Sequence, residues 1–339
     1  MKKFINEKAD INNPKWNNLI HREKEIYKRE NDLRSDFERD YNRILHSNAY
    51  KRMKHKTQVF FSPTSDHICT RMEHVSHVDS ISYTISNTLG LNTELTKAIS
   101  IGHDLGHAPF GHQGEIILSE ISKKYIGDSF WHEKNGVNIV DNIELLEDCN
   151  SNFENMNLTY AVRDGIISHC GEIDENCIKP RNGYIDLNNY TYPNQYSPYT
   201  WEGCVVKISD KISYIIRDIE DAIYLHIIDN HLDELYDLLK YDRAQKINNS
   251  NIINTLIYDI CSNSSPENGL RFSDENLKLL NDIKKFNYEH IYFNKHLQYP
   301  FDYFRLVINQ IFNVLAECYD NENTLEKLNS IKVFYPVLI

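Results

Sequence analysis

The chain has 339 residues and a formal net charge of -12 at neutral pH, so it can bury a core of its own and repels bulk nucleic acid and anionic membranes. Its seven cysteines, an odd number with no C-x-x-C pair, argue against a disulfide or zinc-finger framework and suit a reduced compartment. The opening Met1-Lys2-Lys3-Phe4-Ile5 has no apolar run of signal-peptide length and nothing later approaches a membrane span, so the expectation is a soluble cytoplasmic protein with no membrane partner.

Glycine and proline are scarce, at 12 and 9, and long segments carry apolar residues at helical spacing, which predicts an all-α fold. Residues 1–40 are polar, with both charge signs mixed from Arg22 to Asp40, and read as a solvated N-terminal helical extension. From Tyr41 the pattern tightens. Arg43, Lys51, Arg52, Lys54 and Lys56 interleave with Ile44, Leu45, Tyr50 and Met53 ahead of Thr57-Gln58-Val59-Phe60; the charged face of an amphipathic helix accounts for the lysines equally well. Ser62-Pro63-Thr64-Ser65-Asp66 reads as a loop by its turn residues. Thr70-Arg71-Met72-Glu73 is a capping box, and behind it Met72, Val75, Val78, Ile81, Ile85 and Leu89 predict a helix from about Arg71. His74 flanks its apolar face in the first turn, where a lone histidine is more often a hydrogen-bonded core residue; His67 and His77 are nearby competitors.

A second helix is expected from Asn92, as N-cap, to Leu105, with Gly106 as breaker and with His103 and Asp104 in its last turn. The stretch 101–115 then gathers three histidines, an aspartate and a glutamate among four glycines and a proline. That composition favours chemistry over packing, because glycine lets backbone close on a ligand while adjacent His103 and Asp104 offer nitrogen and oxygen to one cation. Pro109-Phe110-Gly111 stops the helix and leaves His107, His112 and Glu115 on a loop and the start of the next element. In Phe130-Trp131-His132-Glu133 the tryptophan reads as a core or rim aromatic, while the polar pair has no packing reason to be there.

Leu158 to His169 is a further helical stretch, and residues 180–199, rich in Asn, Tyr, Pro and Gly, read as a long surface excursion over the site. From Trp201 a strong helix presents Val205, Ile208, Ile212, Ile216, Ile219 and Ile223, with Asp210, Tyr214 and Asp218 at i, i+4, i+8 on its flank. A carboxylate in so apolar a helix requires a partner, with a metal ion the simplest and a lysine salt bridge the alternative. Past Asn230 the chain reads as amphipathic helix broken by polar loops at 248–251 and 262–268, and Asp302 to Leu315 as core or subunit interface.

At His74, His103-Asp104 and Asp210 the spacing resembles the HD phosphohydrolase superfamily, whose metal ligands follow H…HD…D. Further blocks at Arg43–Ser47, Lys56–Phe60, Arg71–His74, His103–Glu115, Arg163–Ile166 and Glu202–Val206 look like its deoxynucleotide triphosphohydrolase branch, the dGTPase-like proteins. The resemblance spans about residues 40–225 in order. It implies an HD-domain helical core over 41–230 and a C-terminal helical region, 231–339, that completes the substrate pocket. It further implies hydrolysis of a deoxynucleoside triphosphate, dGTP or dNTPs generally, to deoxynucleoside and triphosphate by attack of water on the α-phosphorus. His74, His103, Asp104 and Asp210 would hold a divalent ion, with Mn, Fe or Mg suited to this donor set and Co, Ni or Zn as substitutes. His112 and Glu115 would be the catalytic pair, three apart on one helix face, so that the carboxylate orients the imidazole. Arg71, His107 and His132 would neutralise phosphate, with Glu133 supporting His132. Here Trp131-His132-Glu133 departs from the His-Asn of many bacterial relatives and resembles the eukaryotic branch that pairs SAM and HD domains. By the same resemblance Lys211 lies near phosphate, Tyr214 and Asp218 near the sugar and Gln58 at the 3′-hydroxyl. Lys284 and Tyr292 fall where the family keeps a phosphate-binding base and a ribose-packing tyrosine. The family also implies a homo-oligomer and a second, allosteric nucleotide; alternatives are an HD phosphohydrolase on another phosphoester, or a nucleotide-sensing or single-stranded-DNA-binding protein.

Overall fold

The computed structural model of the chain describes residues 2–24, 31–61, 65–147, 150–170, 176–298 and 300–319, and among them the fold is helical except for one short antiparallel pair, Leu145–Glu147 with Phe153–Asn155. Residues 62–64 of the expected Ser62–Asp66 loop, and 25–30 of the charged N-terminal stretch, lie outside the described residues. No described helix is long and apolar enough to cross a membrane.

Helix Trp201–Tyr224 organises the molecule. Thr200 caps it by accepting the Gly203 N–H, and its buried Val205, Ile208, Ile212, Ile216 and Ile219 meet Leu256 and Ile260 of helix Asn249–Asn263 and Leu280, Ile283 and Phe286 of helix Asp274–Asn287. Its Val206 enters a second cluster, in which Val75 and Val78 of helix Arg71–Leu89 join Leu95 and Ile99 of helix Thr93–Gly102 and Ile166 of helix Tyr160–Ser168. Each such buried aliphatic side chain contributes roughly 1.5–3 kcal/mol. The helix is therefore clamped from both sides, which holds its polar flank in place.

Both halves of the Thr70–Glu73 capping box form: Thr70 accepts the Glu73 N–H, and Glu73 accepts the Thr70 N–H. This fixes the first turn, and with it Arg71 and His74. Asn92 likewise caps helix Thr93–Gly102. That helix ends earlier than its periodicity suggests. Leu105 and His107 donate their N–H groups to Gly102 and Asp104, closures of three residues that carry Asp104 beyond the helical end, with His103 as the C-cap.

The N-terminal stretch also differs from the expected solvated helix. The first long helix is Asp36–His46, capped by Ser35, while Phe4 packs edge-on to Trp201 at 4.8 Å and Leu19 is buried in the second cluster. The charges are turned inward. Arg22 donates to Asp40, whose other oxygen accepts from Thr159. Nor does the 180–199 excursion cover the site: Leu187, Tyr190 and Tyr199 are buried against helix Tyr160–Ser168, and Arg181 pairs with Asp164. Asn194 in this stretch hydrogen bonds a cleft residue, accepting from Lys207 at 2.5 Å. Tyr190 and Tyr199, which look solvent-facing in the sequence, supply apolar bodies to this packing.

Candidate functional site

Several helices and one tight turn converge on a cleft of about 420 Å³. Helix Arg71–Leu89 supplies Arg71 and His74, and the turn after helix Thr93–Gly102 supplies Asp104 and His107, with the buried His103 at its start. Helix Trp201–Tyr224 contributes Lys207, Asp210, Lys211, Tyr214 and Asp218 from one flank. Gly106 makes the convergence physically feasible: a Cβ there would stand 2.1 Å from the His132 carbonyl oxygen, so any side chain would push helix His132–Asn138 away.

His74 Nε2 lies 2.9 Å from Asp210 Oδ1 and 3.9 Å from Asp104 Oδ2. His103 Nε2 lies 3.7 Å from Asp104 Oδ2 and 3.9 Å from Asp210 Oδ1. The four residues singled out as metal ligands thus present two nitrogens and two oxygens to one small space. His103 donates from Nδ1 to the Ser100 carbonyl at 2.6 Å, which fixes its tautomer and leaves Nε2 as a buried lone pair with no hydrogen-bond partner. An orphaned acceptor beside two carboxylates fits a divalent cation. Burial works against charge on both carboxyls, yet Arg71, His103 and His107 hold Asp104 well below its ordinary range, and the hydrogen bond from His74 brings Asp210 to about 2.

Arg71, expected at phosphate, has one terminal nitrogen on Asp104 Oδ2 at 2.9 Å and the other on the Gln58 backbone carbonyl at 3.2 Å. It borders the cleft beside the Gln58 side chain, whose buried Oε1 has no partner. On the other side, His107 and His132 stack at 4.5 Å. Burial, with Arg71 and His132 beside it, keeps His107 neutral, far below the usual imidazole range. Burial would lower His132 too, but Glu133, Cys170 and Glu115 overcome it and hold this imidazole well above that range, as a cation.

Glu115 reaches a second ring besides the expected His112. Its carboxylate accepts the His132 backbone N–H at 2.9 Å and His132 Nδ1–H at 3.1 Å, so it caps helix His132–Asn138 and fixes that ring. His112 is 3.7 Å away with its side chain 80% exposed, and Glu133, the expected support, is 3.5 Å from His132. The i, i+3 spacing did put His112 and Glu115 on one face of helix Gly111–Ile126. What spacing could not show is that the next helix lowers its N-terminus onto the same carboxylate.

Lys211 and Tyr214 line the cleft as the sequence suggests, and Tyr292 donates to Asp218 Oδ2 at 2.6 Å. Lys284 does not line it; this residue sits two turns earlier, on helix Asp274–Asn287. Among the lining residues that sequence reasoning missed, Lys207, His169 and Cys170 carry polar chemistry. Lys207 had a signal, since it lies three residues before Asp210 on the same helix. Burial, with His103 and His132 nearby, lowers His169 to about 4.

Burial raises Asp218 to about 7 despite the hydrogen bond from Tyr292. An acid raised in the folded state contributes stability below its unfolded pKa of 3.8 and loses it as pH climbs through about 7. Wild-type stability should therefore fall by about 1 kcal/mol between roughly pH 6 and pH 8 from this group. Asp218→Asn, which still accepts from Tyr292 but cannot ionise, should flatten that fall in calorimetric melts; identical slopes in both proteins would clear Asp218 of it.

An HD domain family model matches residues 71–215, the span from Arg71 to just past Asp210. The chain is 34% identical over 298 residues to a deoxyguanosinetriphosphate triphosphohydrolase-like protein of Caldanaerobacter subterraneus subsp. tengcongensis, covering 87% of this chain and 76% of the relative. A protein of the same description from Clostridium tetani is 33% identical over 294 residues, covering 85% and 75%. One from Desulfatibacillum aliphaticivorans is 34% identical over 270 residues, covering 77% and 67%.

Proposed function

The chain belongs to the deoxyguanosinetriphosphate triphosphohydrolase-like proteins built on the HD domain, and from that membership we propose that it hydrolyses deoxynucleoside triphosphates to deoxynucleoside and triphosphate. One observation carries the reading: a His74, His103, Asp104, Asp210 donor set opens directly onto a cleft bordered by Arg71, Lys207, Lys211 and the cationic His132. A chain of net charge -12 has gathered its positive groups where a polyanion would lie.

A divalent cation held by those four side chains, Mn, Fe or Mg by their chemistry, would polarise a phosphate oxygen and acidify water. The protein's own groups do the rest. His132, fixed through Nδ1 by Glu115, offers its other N–H to a phosphate oxygen, and neutral His107 stacked on it adds a second polar contact. Arg71 is held by Asp104 and Gln58 at the edge where phosphate would enter. His112, exposed at the start of helix Gly111–Ile126, is placed to give a proton to the departing 5′-oxygen, a contribution of about 10²- to 10⁴-fold in comparable sites. Gln58, Tyr214, Asp218 and Tyr292 line the cleft and would receive the sugar. The Asp218–Tyr292 bond there stiffens the ring that would pack under the ribose and exclude a 2′-hydroxyl. Self-association is supported by Tyr303, Leu306, Ile311, Val314 and Leu315, exposed on helix Phe301–Tyr319.

The test incubates purified protein with each dNTP and Mn or Mg, alone and in mixtures, and resolves products by anion exchange. Deoxynucleoside with tripolyphosphate is expected. Orthophosphate with a diphosphate, or no turnover under any combination, overturns the proposal.

A further inference from the structure

His169 borders the cleft and is 2% exposed, yet nothing proposed above uses it. It follows helix Tyr160–Ser168 as the C-cap residue, and its Nδ1 donates to the Ile166 carbonyl at 2.7 Å. His103 uses the same device with the Ser100 carbonyl, also three residues back. In both rings this bond fixes the tautomer, and Nε2 becomes the acceptor. The two rings stand nearly perpendicular, 74° apart with centroids 4.9 Å apart, and His169 is 5.5 Å from His132 on its other side. A ring nitrogen of His169 comes within 4.8 Å of donor atoms of both His103 and Asp104, and His103 also belongs to the group with His74 and Asp210. His169 thus lies between the His103–Asp104 corner of the donor set and the cationic His132.

A buried histidine satisfied by one carbonyl is ordinary, but this one borders the cleft with a ring nitrogen within 4.8 Å of the His103 and Asp104 donor atoms. We propose that His169 Nε2 accepts a hydrogen bond from the attacking water and orients it toward the phosphorus, an assignment that rests on the reading of the cleft as a phosphohydrolase site. The residue acts as a hydrogen-bond acceptor at that water, with no part in the ligand set and none in holding phosphate.

The experiment compares wild type with His169→Phe, which keeps a ring against His103, and His169→Gln, which restores an acceptor. Mn²⁺ affinity is measured by titration, and water-proton relaxation by the bound Mn²⁺ reports the water held there. Expected results are unchanged Mn²⁺ affinity in both variants, altered water relaxation in the phenylalanine variant, and a fall of about 10²-fold in kcat at nearly constant KM, with partial recovery in the glutamine variant. Mn²⁺ affinity weakened by about tenfold or more would make His169 a ligand and overturn the proposal. Wild-type relaxation and kcat in the phenylalanine variant would overturn it as well, as would a glutamine variant no better than phenylalanine. If wild type binds Mn²⁺ but cleaves no dNTP, the substrate reading fails alone, because the relaxation comparison still decides His169. If wild type binds no Mn²⁺, both fall together.

Discussion

Asp210→Asn should abolish turnover, by at least about 10³-fold, while leaving the fold intact. The residue sits in the middle of helix Trp201–Tyr224, its carboxylate 2.9 Å from His74 Nε2, and an amide of the same shape keeps both the helix and an acceptor for His74. What is lost is one of two anionic donors. Two histidines, one carboxylate and an amide hold a divalent ion far less firmly, and the cation's charge at phosphate goes with it. A melting experiment separates this from misfolding. At a free Mn²⁺ concentration of about 100 times Kd, wild type should gain about 2.7 kcal/mol, and the variant essentially nothing. Asp210 also sets a pH limit. Its folded pKa, about 2, is below the ordinary 3.8, so its contribution to stability is present above pH 3.8 and is lost as pH falls toward 2; the asparagine protein should lack that acid-side loss. Wild-type Mn²⁺ affinity in the variant would remove Asp210 from the ligand set.

The places of the four candidate ligands in the fold were legible because local rules determine each of them. A capping box fixes His74 in a first helical turn, an asparagine cap and a glycine breaker bracket His103-Asp104, and the apolar stripe of the 201–224 helix leaves only one flank for Asp210. The i, i+4, i+8 row of Asp210, Tyr214 and Asp218 does line the cleft for the same reason. What failed was long-range. Glu115 and His132 are 17 residues apart, and the helix that carries His132 is docked by the turn at Gly106, where a Cβ would not fit. Mixed charge from Arg22 to Asp40 suggested solvent, yet Arg22 and Asp40 find each other and Thr159 in the interior, a pairing no periodicity encodes. Likewise the polar look of residues 180–199 hid how much apolar area Tyr190 and Tyr199 bury. His169 closed a recognisable helix, but which wall of the molecule it faced depended on how that helix docked.

Glu115→Gln should cost more than its neighbour in sequence suggests, about 10²- to 10³-fold in kcat, through His132 and not through His112. The carboxylate lies within hydrogen-bonding range of His132 at two atoms, the backbone N–H and Nδ1, against 3.7 Å to His112. Against the effect of burial, Glu133, Cys170 and Glu115 together hold the His132 proton; neutralising Glu115 lowers that pKa while Glu133 remains to resist part of the drop. The direction is testable. Because His132 is raised in the folded protein, its charge persists to higher pH than a free imidazole's and disappears as pH rises through the folded value. Activity that depends on this cation should therefore fail at lower pH in the glutamine variant, so the alkaline limb of the pH–rate profile shifts toward acid. His112→Ala should lower the rate without moving that limb. Double-mutant cycles give the decisive comparison: Glu115 with His132 should couple by about 1 kcal/mol or more, and Glu115 with His112 by much less. If the larger coupling falls on His112, the exposed ring must swing onto Glu115 when substrate binds, and the pairing seen here is that of the resting cleft only.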